Sequence, residues 1–422
     1  MITRPFSASV WRNRDFVLLW SGQAFSQFGA YASSVVVPLL AIETLHADST
    51  ELGVLGLLRQ LPLALYLVAG VWVDRVRKRP TMVGATLIRS ALLLAIPVEA
   101  AWGLLSVALL GVTLFLAATL SVWFDTAYRS YLPMLVDADH LVEGNSRIES
   151  ARAAAQLTGP GIGGVLVQAL TAPVAVVLDG LALLGSSLMV ARIRYREPKP
   201  EASKRGVRGV WTDLLEGLRF LAKDSVLRPL AVAIAVCNFA WAAEGTLYVI
   251  YLVPVLGMPA SLVGVTLIGT GVGAVVGALA APRVAAKVGV SGAIITGLSV
   301  FALGTVLIPL TPPILAVATP VLVLAGFTMS LGGQVCSVTV VSLRQGITPD
   351  RLQGRVNGSF WFFTYGPAPI GALLGGLGAD AVGARAALFA TVAVMAVSPV
   401  VVWLSAAGRL RALPDVIKEA AR

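Results

Sequence analysis

Twelve long apolar runs limit what this chain can become more than any other feature. They cover residues 16–42, 50–73, 81–98, 102–125, 150–169, 173–191, 229–253, 261–281, 289–309, 313–340, 356–378 and 385–405. A helix needs about 20 mostly apolar residues to cross the hydrocarbon core of a bilayer. Only 13% of the 422 residues are charged, against roughly 25% in a soluble domain. Such a chain cannot clothe itself in polar surface, and its natural solvent is lipid. The runs predict an all-α membrane protein with twelve transmembrane helices.

The charges give the topology. Of 32 Lys and Arg residues, 29 fall in segments that alternate spans place on one face, while Arg385 alone falls on the other and Arg59 and Arg89 lie within spans. The positive-inside rule assigns the rich face to the cytoplasm. Both termini are then cytoplasmic, which requires an even number of spans, in agreement with the hydropathy count. The predicted location is the inner membrane, crossed many times. The N-terminus carries no cleavable signal pattern. The net charge of +10 follows from topology and contact with anionic lipid, so nucleic acid is not an expected partner. Cys237 and Cys336 are isolated in apolar runs, and His46 and His140 are isolated in loops. No metal site is expected from them.

The chain repeats itself once. Asn145, Gly159, Gly163 and Gly164 recur as Asn357, Gly371, Gly375 and Gly376, each 212 positions later. The spans divide six and six around a basic segment. This predicts two pseudo-symmetric six-helix bundles, 1–191 and 229–422, the second including a short tail. Between them, 192–228 holds an amphipathic helix with Trp211, Leu214, Leu215, Leu218 and Leu221 at helical spacing. That helix is expected to lie on the membrane surface and tie the halves together. Parallel repeats of this kind are a transporter plan, with the substrate between the halves near the midplane.

The loop after the second span reads Gly70, Asp74, Arg75, Lys78, Arg79. With the six-plus-six plan, this signature resembles the major facilitator superfamily. The stretches "NRDFVLLWSGQAFSQFG" and "FDTAYRSYLPMLVDADHLVEGN" look like its drug- and siderophore-exporter branch. The resemblance implies close packing of Gly70 against span 11. It implies a latch on the cytoplasmic side, in which Asp74 faces the positive end of span 11. Arg75 and Arg79 would pair with neighbouring helix ends, and Arg129 would join the relay. "AQLTGPGIGG" resembles a Gly-Pro motif associated with antiporters. There Pro160 bends the helix, and Gly159, Gly163 and Gly164 permit close contact. Ordinary helix packing accounts for the same residues. Related exporters often carry an acid after the glycine of span 1, where this chain has Ala30.

Ionisable residues inside a membrane are costly and point to function. Glu244 lies near the middle of span 7 with no base within a helical turn. It is a candidate for proton coupling or substrate binding. It is equally a candidate for a neutral, hydrogen-bonded acid or a partner of Arg59. Arg59 could also bind an anionic group, and Asp179 in span 6 could relay protons. Arg89 and Asp125 read as a structural pair toward the cytoplasmic parts of spans 3 and 4. Gln23, Gln27, Asn238, Trp241, Tyr248 and Tyr365 could line a cavity.

The expected activity is proton-coupled export of an amphipathic small molecule, such as a drug, a secondary metabolite or a siderophore. The proton gradient would be the energy source, with no cofactor and a monomer as the working unit. An importer on the same scaffold and a non-transporting membrane sensor are the alternatives. No phosphate-binding G-x-x-x-x-G-K-[ST] loop and no catalytic cluster occurs, so neither an ATP-driven pump nor an enzyme is expected.

Overall fold

A computed structural model describes residues 10–73, 75–136, 141–195, 197, 207–349 and 352–410. The described residues form helices and no strand. The first six membrane helices are α1 (Arg14–Thr44), α2 (49–73), α3 (Lys78–Ala101), α4 (Val107–Leu135), α5 (Leu141–Ala169) and α6 (Ala172–Ala191). A shorter helix, α7 (Val207–Lys223), follows. The second six are α8 (Leu227–Val255), α9 (260–288), α10 (290–307), α11 (Leu315–Ile347), α12 (353–382) and α13 (Ala384–Leu404).

Local chemistry sets several ends. Asn13 caps α1 by accepting from Asp15 N and Phe16 N, and its amide donates to Leu135 O at 2.7 Å, tying α1 to the end of α4. Asp48 and Glu51 form a capping box at the start of α2. Helices α9 and α10 run almost end to end, broken only at Gly289, whose φ of 78° suits glycine. Both α1 and α8 finish in a π-turn, at Leu40–Thr44 and Tyr251–Val255, so the repeat is visible in the backbone.

Helices α4 and α5 differ from the sequence reading. They run about ten residues beyond their apolar runs on the linker side. Hydropathy measures the thickness of the bilayer, not the length of the helix. The extra turns of α5 are polar and carry the pairs Glu143–Arg147 at 3.8 Å and Glu149–Arg152 at 2.7 Å. Such pairs support exposed helix. One consequence is that Asp125 sits in the interior of α4 rather than at its cytoplasmic end; Arg89 lies near the middle of α3.

Glycines position the helices within each half. Gly159 and Gly163 of α5 press on Tyr31 and Ala32 of α1; Gly371 and Gly375 of α12 press on Phe239 and Ala243 of α8. A Cβ would lie 3.1 Å from Ala32 Cα at Gly163, and 3.0 Å from Ala243 Cα at Gly375. Between the halves, Gly164 meets Gly264 of α9, and Gly376 meets Gly53 of α2. This is small-residue packing used where apolar side chains gain nothing by leaving lipid. All these contacts between halves lie on the side away from α7. There the Thr50 N–H and hydroxyl also donate to Asp380 at 2.9 and 2.5 Å.

On the linker face, α7 crosses the start of α12. Leu214, Gly217 and Leu221 are buried, Ser359 donates to Leu214 O at 3.0 Å, and Arg355 pairs with Glu216. Trp211 and Leu215 face outward. The apolar residues read from the sequence as one stripe therefore serve two faces. Helix α7 also touches the last turns of α2, so it bridges both halves.

Candidate functional site

The two halves hold their intramembrane charges differently. In the first half, Asp179 of α6 is 7% exposed. Its Oδ2 accepts from the Ser33 hydroxyl of α1, while its Oδ1 has no hydrogen-bond partner among the described residues. Gly29, one turn before Ser33, makes the approach possible, because a Cβ there would collide with the carboxylate. Arg59 and Arg89 both lie within electrostatic reach of Asp179. Arg89 also feels Asp125, whose Oδ2 accepts from the Tyr66 hydroxyl at 2.8 Å. Arg129 acts on the same carboxylate.

The first half thus contains a distributed cluster in which acids and bases compensate one another. Arg89 and Asp125 belong to it as near neighbours; among the described residues they form no direct ion pair. Asp179 is its buried member; removing it would leave the half-buried Arg89 and the exposed Arg59 without the carboxylate they share, a costly state. Ser33 and Tyr66 complete the cluster, and neither stood out in the sequence. Ser33 could have been found from its place four residues after Gly29, on the same helical face.

Glu244 has no such company. It is 5% exposed and lies six residues before the end of the regular part of α8. Among the described residues no hydrogen bond or ion pair reaches its carboxylate. Arg59 is set against Asp179 instead. The nearest polar neighbour along the same face, Tyr248, donates its hydroxyl to Thr266 Oγ1 of α9 at 2.7 Å. Enclosing an unpaired carboxylate is costly in its ionised form, so a group placed this way is suited to carry a proton.

The cavity candidates divide. Asn238 donates to Thr364 O at 3.0 Å and Tyr248 is committed to Thr266, so both serve the scaffold of the second half. Trp241 is 48% exposed, and Tyr365 stacks on Trp361 with centroids 4.9 Å apart. Gln23 is buried with its Oε1 unpartnered among the described residues, and Gln27 is half-buried.

Of the loop signature, Asp74 lies outside the described residues, as does His140. Gly70 sits in the last turns of α2. Arg79 donates to Val190 O at 3.3 Å and to Ala191 O, at the end of α6. Glu197 accepts from Lys78 N and Arg79 N at 2.6 Å each, at the start of α3. A cation meets the negative end of one helix and an anion the positive end of the next. Arg75 and Arg129 are exposed on the linker side. Pro160 lies within an unbroken α5, with its carbonyl against Gly264.

Comparison with known proteins agrees with this architecture. Residues 19–372 match the Major Facilitator Superfamily. The multidrug efflux pump Tap of Mycolicibacterium fortuitum is 26% identical over 370 residues, covering 84% of this chain and 87% of Tap. Tap of Mycobacterium tuberculosis (strain ATCC 25618 / H37Rv) is 27% identical over 394 residues, covering 90% of each chain. Among solved structures, a variant of the nucleoside transporter NupG superposes with a TM-score of 0.75 at 10% identity, over 92% of this chain and 98% of that one. A bacterial homologue of the iron transporter ferroportin, in an inward-facing state, gives 0.73 at 16% identity, over 98% and 100%. Twelve membrane helices in two glycine-packed halves, joined by a bridging surface helix, have the fold these comparisons share: the chain belongs to the Major Facilitator Superfamily and is a multi-pass membrane transporter, not an enzyme.

Proposed function

We propose that this transporter is a proton-coupled exporter of amphipathic small molecules, drugs among them, in the inner membrane with both termini in the cytoplasm. The observation that carries the coupling is Glu244, enclosed in the second half without a counter-charge among the described residues. The relatives named as multidrug efflux pumps support export. The contacts between halves on the side away from α7 support a cleft that opens toward the linker face, the cytoplasmic one by the charge rule. Substrate would enter there. Rocking of the halves would expose Glu244 to the other side, and its protonation would reset the carrier. One chain contains both halves, so a monomer suffices, and the proton gradient replaces any cofactor.

Retention of a panel of dyes, antibiotics and siderophores in cells overproducing the chain tests this. It is read with and without a proton uncoupler, beside Glu244→Gln. Lower retention that both treatments reverse is the expected result. Raised retention would mean import. Lower retention that the uncoupler reverses but Glu244→Gln leaves unchanged would end the role of Glu244.

A further inference from the structure

The apolar run 313–340 stops short of Arg344, so hydropathy alone puts this base beyond its span. In the structure α11 continues to Ile347 and takes Arg344 with it, leaving it 6% exposed. Buried charges are normally paired. Arg344 is not: among the described residues no carboxylate lies within ion-pair distance. One Nη2–H···O bond to Asn357 Oδ1, at 2.6 Å, and the face of Phe360, 4.5 Å from the guanidinium carbon, fix its orientation. Both contacts hold the guanidinium in place, and neither cancels its charge. The neighbouring Arg355 is already matched by Glu216.

Arg344 opens onto a cavity of about 270 Å³ between the end of α11 and the start of α12, lined by Arg344, Gln345, Thr348, Gln353, Gly354 and Asn357. Among the described residues no acid is in that lining. Thr348, which caps α11, is 5% exposed, and its hydroxyl oxygen is buried with no hydrogen-bond partner among the described residues. A buried cation, an orphaned hydroxyl and three side-chain amides thus converge on one polar hollow at the linker face. A guanidinium whose plane is fixed presents its remaining N–H groups as a fork that matches a tetrahedral oxyanion. The hollow has room for such an anion and several waters.

We propose that this hollow is an anion site that takes a phosphoryl group, with Arg344 as the charge partner and the Thr348 hydroxyl as a second donor. The phosphoryl group could belong to free phosphate or to the headgroup of an anionic lipid lying beside α11 and α12. The site is separate from Glu244 and from the Asp179 cluster, so it does not depend on the transport reading. Occupying it would neutralise a buried charge at the joint between two helices that border the cleft.

The test uses the purified full-length chain. In detergent, thermal unfolding is followed against inorganic phosphate, with sodium chloride at equal ionic strength as the control. In nanodiscs, phosphatidylglycerol is compared with phosphatidylcholine. Thr348→Val keeps the shape and removes the donor; it should raise the half-saturating concentration roughly tenfold, the scale of one hydrogen bond to a charged group. Arg344→Gln should abolish the response. If Arg344→Gln does not fold, Arg344→Lys keeps the charge without the fork and should bind more weakly than wild type. Phosphate stabilisation beyond chloride, with this pattern of variants, identifies a free oxyanion. Stabilisation by phosphatidylglycerol alone, with the same pattern, identifies a headgroup. Stabilisation equal in chloride, equal in all variants, or absent in both arms overturns the proposal.

Discussion

The two halves of this transporter share a scaffold and differ in their chemistry. Gly163 on Ala32 and Gly375 on Ala243 are the same contact made twice. So are the two π-turns that end α1 and α8. The π-turns align the halves at an offset of 211, and at that offset Ser33 occupies the place of Glu244. Ser33 hydrogen-bonds an acid from another helix; Glu244 is itself the acid and has no partner among the described residues. Backbone approach tolerates almost no variation, because a Cβ at these glycines meets main-chain atoms. A polar residue at the midplane is free to change, provided its charge is compensated or can be discharged. The comparison separates residues that hold the repeat together from those that give one half its own task.

The sharpest way to break that comparison is to neutralise each acid in turn. Glu244→Gln should reduce uncoupler-sensitive efflux to the background of cells lacking the protein. It should leave thermal stability unchanged or higher, because no partner is stranded. Asp179→Asn should do the reverse in stability. It takes the buried carboxylate from the half-buried Arg89 and the exposed Arg59 and should cost about 1–3 kcal/mol, less than breaking a fully buried pair. The loss would be read as a lower unfolding midpoint in detergent. A companion Arg59→Gln should restore part of it. If Asp179→Asn is as stable as wild type, the cluster is not a structural unit and the contrast between halves fails.

Next in size is the scaffold itself. Gly163→Val and Gly375→Val should each cost about 1–3 kcal/mol, the usual range for overpacking, and the two costs should match. Unequal costs would show that the repeat is looser in one half than its backbone suggests. Chemical unfolding of the two variants beside wild type measures this directly.

These contrasts also explain what could be read from the sequence. The twelve spans, the repeat and the lone Glu244 were legible because hydropathy, glycine spacing and an isolated acid are local signals. The partners of Asp179 were not. Ser33 and Asp179 are 146 residues apart, and nothing along the chain announces that Gly29 clears the space between their helices. The burial of Arg344 was hidden for a different reason. Its helix continues past the apolar run, and hydropathy stops where the lipid does. Asn238 and Tyr248 looked like cavity residues because polar side chains in a span suggest a ligand. The helix packing instead gives each a partner within its own half.

The smallest expected effect tests where the halves meet. Thr50 of the first half donates its N–H and its hydroxyl to Asp380 of the second, on the face away from α7. Asp380 is exposed and Thr50 half-buried, so water competes for each bond. The net contribution of the hydroxyl should be about 0.5–1 kcal/mol. Thr50→Ala keeps the backbone donor and removes only that part. If these contacts hold the far side closed, the variant should open there more often, by roughly two- to fivefold in population. Labelling of a cysteine introduced on the facing surface of α2 or α12 would report it as a faster reaction on the far side. The global unfolding midpoint should barely move. A labelling rate equal to that of the parent would mean that the glycine contacts alone keep this face shut, and that the hydrogen bonds merely accompany closure.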